Sequence, residues 1–198
     1  MIAVFDFDGT LCYGISMMLL APRPSFPARL NLLFSFFLTR VTGRDYYGES
    51  MEGLMRGLKL EEVLEKALSL PPVEGAVRFA RELQQRGYRL IVISYTAKEL
   101  IEAYLKKVGI KAEVYARQLI VKNGRIEGYR RDWVYEALLD AKHGKRKIVE
   151  RLGIQPELCV GDHRERDRLC DNYIDVRELE EDYMPKWKQF ILTRKLLA

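Results

Sequence analysis

An α/β fold, a mostly parallel sheet with a small helical insertion, is what this sequence predicts. Three observations carry that expectation. Short apolar runs end in turn residues, amphipathic stretches alternate with those runs, and an early Pro- and Phe-rich segment fits neither pattern. Strands that alternate with helices need crossover connections, and crossovers place helices on both faces of a parallel sheet.

The elements follow in order. Ile2 to Phe5 is an apolar run broken by Asp6 and Gly9, the pattern of a buried strand ending in a loop. Residues 12–71 differ in composition. Pro22, Pro24 and Pro27 punctuate the entry, and a Phe/Leu-rich stretch runs from about Ser25 to Thr39. After a turn near Gly43, Leu58 to Leu68 carries apolar residues at helical spacing, and Pro71 and Pro72 end the segment. From Val73 the α/β alternation resumes. A helix is expected over Val77–Arg86, stopped by Gly87, then a strand over Leu90–Ile93, and a second helix over Ala97–Lys107. Asn123-Gly124 between alternating apolar residues of 118–127 predicts a hairpin. A helix over Lys145–Leu152 and strands at Leu158–Val160 and Tyr173–Val176 complete the series. The domain reading is a core of residues 1–11 and 72–198, with 12–71 inserted.

Composition narrows the class. The 198 residues suffice for one core and a modest insertion, and 48% hydrophobic content is ordinary for a packed protein. The net charge of +5 (33 basic less 28 acidic residues) suits an anionic substrate. It is too evenly spread, and too far from any recognised module, to argue for nucleic acid. Cys12, Cys159 and Cys170 form no framework, so a reduced cytoplasmic protein is the expectation. The longest apolar stretch, Leu32 to Leu38, is too short to span a bilayer.

In an open parallel sheet, ligands gather at the carboxyl ends of the strands. Asp6 and Asp8 follow the first strand, Ser94 follows Ile93, and Gly161-Asp162 follows Val160, while Lys145 opens a helix nearby. Carboxylates from two strand ends make an all-oxygen pocket suited to Mg²⁺, and a hydroxyl and an ammonium can hold phosphate oxygens.

These residues resemble the haloacid dehalogenase superfamily along nearly the whole chain. Its Asp-x-Asp-x-Thr/Val motif appears as Asp6, Asp8 and Thr10, its second-motif Ser/Thr as Ser94, and its lysine as Lys145. Its Gly-Asp-x-x-x-x-Asp motif appears as Gly161, Asp162 and Asp167. The stretch Val73–Ser94, the insertion between the first two motifs and the 118–128 hairpin are similar to the phosphoserine-phosphatase branch. The resemblance implies a Rossmann-like core with a helical cap over 12–71, and a Mg²⁺-dependent phosphatase acting on a small phosphorylated metabolite. It implies Asp6 as nucleophile and Asp8 as acid/base, with Asp6, the Asp8 carbonyl and Asp162 on the metal. Ser94 and Lys145 would clamp the phosphoryl group, Thr10 would support the loop, and Asp167 would reach metal through water or hold Lys145.

Simpler readings stand beside these. Ser94 alone reads as a strand-end cap, and Lys145 shares its run with Lys147, a competitor for the same role. His163, Arg164 and Arg166 either meet the distal part of a substrate or solvate the loop. Phe34, Phe36 and Phe37 read most simply as the core of the cap, with a substrate lid or partner surface as the alternative, and an oligomer through the cap stays open. A catalytically weak relative that binds or regulates a partner through a hydrophobic cap is the competing function. Carbon–halogen hydrolysis is disfavoured, because dehalogenases of the superfamily lack the second acid and Asp8 is present. Phosphoserine itself is not the expected substrate. Tyr95 and Thr96 replace the branch's usual glycine pair, no acid to read an amine lies in Cys12–Met18, and Arg56 is an uncertain carboxylate reader.

Overall fold

The computed structural model describes residues 1–14, 26–185 and 188–189. Pro22, Pro24, Ser25 and the stretch Ile15–Met18 therefore lie outside the described residues.

Strand β1 (Ile2–Phe5) is the middle of a five-stranded, all-parallel sheet of order β3-β2-β1-β6-β7. It pairs with β2 (Arg89–Ala97) on one side and β6 (Leu158–Gly161) on the other, and β3 (Glu113–Arg117) and β7 (Tyr173–Asp175) form the edges. Because side chains alternate along a strand, the near-continuous apolar runs feed two cores. Ala3, Phe5, Leu90 and Val92 pack with Ala76, Val77 and Ala80 of helix α4 (Glu74–Gln85) and with Leu100, Ile101 and Tyr104 of α5 (Lys98–Lys107). Val4, Ile91 and Ile93 point the other way, onto Val134 and Leu138 of α6 (Trp133–Leu138) and Ile148 and Val149 of α7 (Gly144–Leu152).

Between β1 and α4 stand three inserted helices: α1 (Phe26–Thr42), α2 (Tyr46–Met55) and α3 (Leu60–Ser69). The Asp45 carboxylate caps α2 by accepting from the Gly48 N–H. A hairpin, β4 (Leu119–Lys122) with β5 (Arg125–Tyr129), turns at Asn123 and Gly124, both at positive φ (49° and 73°), as its sequence predicts. It leans on the inserted helices: the Gly57 N–H donates to the Ile126 carbonyl and the Leu60 N–H to the Gly124 carbonyl. Buried Glu52 accepts from the Tyr129 N–H and from Arg131.

Two expectations are corrected. Phe34, Phe36 and Phe37 are not core: they are 61, 50 and 61% exposed, because α1 turns Leu32, Ser35 and Thr39 inward instead. Nor are all three thiols reduced. Cys159 and Cys170 form a disulfide across Cα atoms 6.1 Å apart, because the short helix α8 (Arg164–Asp167) doubles the chain back beside β6. Cys12 remains free and buried. Among the described residues, no helix is long and apolar enough to cross a membrane.

Candidate active site

The register of the sheet assembles the site. Phe5 is level with Val92 on β2 and Val160 on β6, so the residues just beyond, Asp6, Ser94 and Asp162, emerge together at the carboxyl edge. Ser94 lies inside β2 rather than at its end. The strand stays extended to Ala97, but its pairing with β3 slips between Ile93 and Ala97. That irregularity leaves the Ser94 hydroxyl accepting only a long bond, 3.3 Å, from the Thr96 N–H among the contacts seen.

Beyond Asp6 the chain turns tightly. The Phe7 carbonyl accepts from the N–H groups of Thr10, Leu11 and Cys12, and Gly9 takes φ +86°, which a side chain would strain. The Tyr183 hydroxyl donates to the Gly9 carbonyl (2.8 Å) and the Met184 N–H donates to the Tyr13 hydroxyl (3.2 Å), so a distant segment straps this loop down.

Lys145 is the hub. Fully buried at the start of α7, its ammonium donates to Asp6 Oδ1 and to Asp167 Oδ1, both at 2.6 Å. Asp167 in turn accepts from the His163 N–H through Oδ2 (2.9 Å) and packs so closely over Gly161 that no Cβ would fit there. Asp6, Asp162 and Asp167 offer carboxylate oxygens within 4.8 Å of one another. Burial alone would push the Lys145 ammonium down, but Asp167 and Asp6 outweigh it and hold the lysine protonated. Burial pushes the Asp167 carboxyl up to about 6, against the pull of Lys145. Such a crowd of acids around one ammonium suits a hard divalent cation, which would relieve their mutual repulsion.

Of the two lysines, Lys145 is the one that donates to Asp6, whereas Lys147 is exposed and bridges Asp140 at 2.8 Å. Thr10 is buried, its hydroxyl 3.5 Å from Asp6 Oδ2. Asp8 is not one of the three carboxylates of the acidic cluster. Its charge, after burial and together with that of Asp45, pushes up the phenol of Tyr47 on α2. Arg166 sits with its guanidinium 6.0 Å from the Tyr95 ring centre, while His163 and Arg164 point to solvent. Arg56 is exposed at the end of α2.

Sequence reasoning missed a second charged group beneath the site. Arg117, 1% exposed at the end of β3, donates to Asp45 Oδ2 (2.7 Å) and to the Leu138 carbonyl (3.0 Å). Its guanidinium lies 5.4–5.8 Å from the ring centres of Tyr135, Tyr129 and Tyr95. Tyr95 thus stands between Arg117 and Lys145, its hydroxyl donating to the Asp140 carbonyl (3.0 Å). The partners of Arg117 lie 72 and 21 residues away, so no local pattern could announce them.

Comparison with known proteins agrees with this geometry. Residues 3–170 match the haloacid dehalogenase-like hydrolase family. A phosphoserine phosphatase of Wolinella succinogenes is 30% identical over 168 residues, 81% of this chain and 78% of that one. One from Methanocaldococcus jannaschii is 26% identical over 166 residues, 80% of this chain and 75% of that one. The fold is similar to that of a substrate-bound phosphoserine phosphatase, with a TM-score of 0.64 and 21% identity over 100% of this chain and 98% of that one. A phospho-aspartyl intermediate analogue of phosphoserine phosphatase gives a TM-score of 0.59 and 24% identity over 83% and 78% of the two chains.

Proposed function

Because the chain belongs to the haloacid dehalogenase-like hydrolases, we propose that it is a Mg²⁺-dependent phosphatase that hydrolyses a small phosphorylated metabolite through an aspartyl-phosphate on Asp6. The observation that carries this reading is the buried Lys145 held between Asp6 and Asp167, with Asp162 in the same cluster.

Asp6, Asp162 and the main-chain carbonyl of Asp8 would hold Mg²⁺, which when bound supplies neutralising charge for the transferring phosphoryl group. Lys145 and the Ser94 hydroxyl bind the phosphoryl oxygens, and Asp167 orients Lys145. An Asp6 carboxylate oxygen attacks phosphorus and the bond to the leaving oxygen breaks. Asp8, not one of the three clustered carboxylates, gives that oxygen a proton. The deprotonated Asp8 then takes a proton from water, which attacks the phospho-aspartate and releases inorganic phosphate and free Asp6. Helices α1–α3 act as a cap over this edge, a reading supported by the ion pair of Asp45, at the start of α2, with Arg117 at the end of β3. Tyr95 and Thr96 stand where the phosphoserine-phosphatase branch usually has a glycine pair, which supports a substrate other than phosphoserine.

The test is hydrolysis of an aryl phosphate. Activity is expected with Mg²⁺ and lost in excess chelator or in Asp6→Asn. In Asp8→Asn, rapid-quench mass spectrometry is expected to find a phosphoryl adduct on the Asp6 peptide. Full turnover by either variant, or an adduct on Ser94, refutes the mechanism.

A further inference from the structure

Helix α1 is amphipathic the wrong way round for a protein that ends at its own surface. Leu30, Leu33, Phe34, Phe37 and Val41 recur at helical spacing on one face, and each is at least half exposed, from 51% at Leu30 to 67% at Leu33. Phe36, at the flank, is 50% exposed, with Arg40 stacked over its ring at 5.8 Å. The inward face carries the polar groups. Ser35 is 5% exposed and shares a 2.6 Å hydrogen bond with Ser50 of α2, and the Thr39 hydroxyl accepts from the Tyr47 N–H. A continuous apolar stripe of this kind costs solubility unless something covers it.

The sequence leading into and through the helix carries charge of one sign. From Gly9 to Arg44 the sequence holds Arg23, Arg29, Arg40 and Arg44 and no acidic residue at all. A second copy docked on this face would bring Arg40 to a seam to which residues 9–44 contribute no carboxylate. Arg44 already pairs with Glu49 of its own chain, and Arg40 is exposed beside the stripe. Exposed aromatic and aliphatic side chains flanked by arginine are the composition that lies in the interface of an anionic bilayer.

We propose that α1 is a membrane-surface anchor that inserts Leu33, Phe34, Phe37 and Val41 among the acyl chains of an anionic lipid leaflet, with Arg40 at the headgroups. The helix lies in the surface and does not cross it, in keeping with its 17 residues. This inference rests on the outer face of α1 and stands apart from the phosphatase reading.

The test is co-sedimentation of the full chain with phosphatidylcholine vesicles and with vesicles that also contain phosphatidylglycerol. Binding is expected to the anionic vesicles, weak binding to the neutral ones, and progressive release as salt rises. Phe34→Ser with Phe37→Ser, both exposed and outside the site, should keep aryl-phosphate turnover. It should lose vesicle binding by at least about ten-fold, the scale set by two buried aromatic side chains. Failure to sediment with anionic vesicles, equal binding to both compositions, or unchanged binding by the double variant overturns the proposal. A concentration-dependent dimer that the double variant abolishes, without vesicle binding, overturns it in favour of a self-interface.

Discussion

The carboxyl edge of the sheet and the outer face of α1 break the same rule in opposite directions. At the sheet edge, Lys145, Asp167 and Arg117 are charged yet almost fully buried. On α1, Leu33, Phe34, Phe37 and Val41 are apolar yet mostly exposed. The difference lies in partners. Each buried charge meets an opposite charge within 2.6–2.7 Å, so the molecule answers the charge it has removed from water, although Arg117 Nε is left without a hydrogen bond. Nothing among the described residues covers the α1 stripe. Buried charges answered by opposite charges point to chemistry inside the protein, and apolar groups left uncovered point to something outside it.

The largest effect should come from breaking a buried pair. Asp45→Ala leaves the Arg117 guanidinium without its carboxylate and also uncaps α2, so a loss of about 3–5 kcal/mol is expected in chemical denaturation. A loss below about 1 kcal/mol, the scale of an exposed pair, would show that water reaches Arg117 and that the contrast with α1 is overdrawn.

Next in size is the contrast between neighbouring lysines. Lys145→Ala should lower kcat on the order of 10²–10³-fold, because the site loses its buried ammonium. Lys147→Ala removes an exposed contact to Asp140 and should change kcat only a few-fold. Equal losses from the two would place the phosphoryl-binding cation elsewhere.

Smallest, and aimed at the other region, is the stability of the Phe34→Ser, Phe37→Ser double variant. Side chains about 61% exposed contribute little to folding, so the midpoint of thermal unfolding should stay within the change expected for about 0.5 kcal/mol. A loss of several kcal/mol would mean that the stripe packs within the chain and has no partner to find.

How much of this was legible in the sequence follows from the range of the interactions. The Ile2–Phe5, Leu158–Val160 and hairpin strands announce themselves through apolar runs and Asn123-Gly124, because those signals are local. Helix α2, helix α6 and strand β3 carry no run of that kind. Val114 and Ala116 are held in β3 by pairing with β2, and α2 is set by its Asp45 cap and by tertiary contacts. Asp6, Lys145 and Asp162 could be picked out because each sits just beyond a strand or opens a helix, and Ser94 because it ends an apolar run, although the strand continues past it to Ala97. The aromatic stripe was visible as composition, but composition does not say which face of a helix looks inward. Ser35 and Thr39 decided that by pairing with α2, and only the packed structure shows it. The Cys159–Cys170 disulfide was hidden for the same reason, since it depends on α8 returning the chain to β6.

The strap from Tyr183 to Gly9 has a consequence for how the enzyme comes into being. Its two ends are separated by 174 residues, and Asp6 likewise waits for Lys145, Asp162 and Asp167. At ordinary translation speeds of about 5–20 residues per second, the loop leaves the ribosome roughly 10–35 s before the tyrosine that fastens it. A nascent chain therefore exposes an acidic loop before Lys145 is made, and β1 has β2 beside it well before β6 arrives on its other edge. The acidic cluster is complete only once Lys145, Asp162 and Asp167 have joined Asp6, so its first member waits longest.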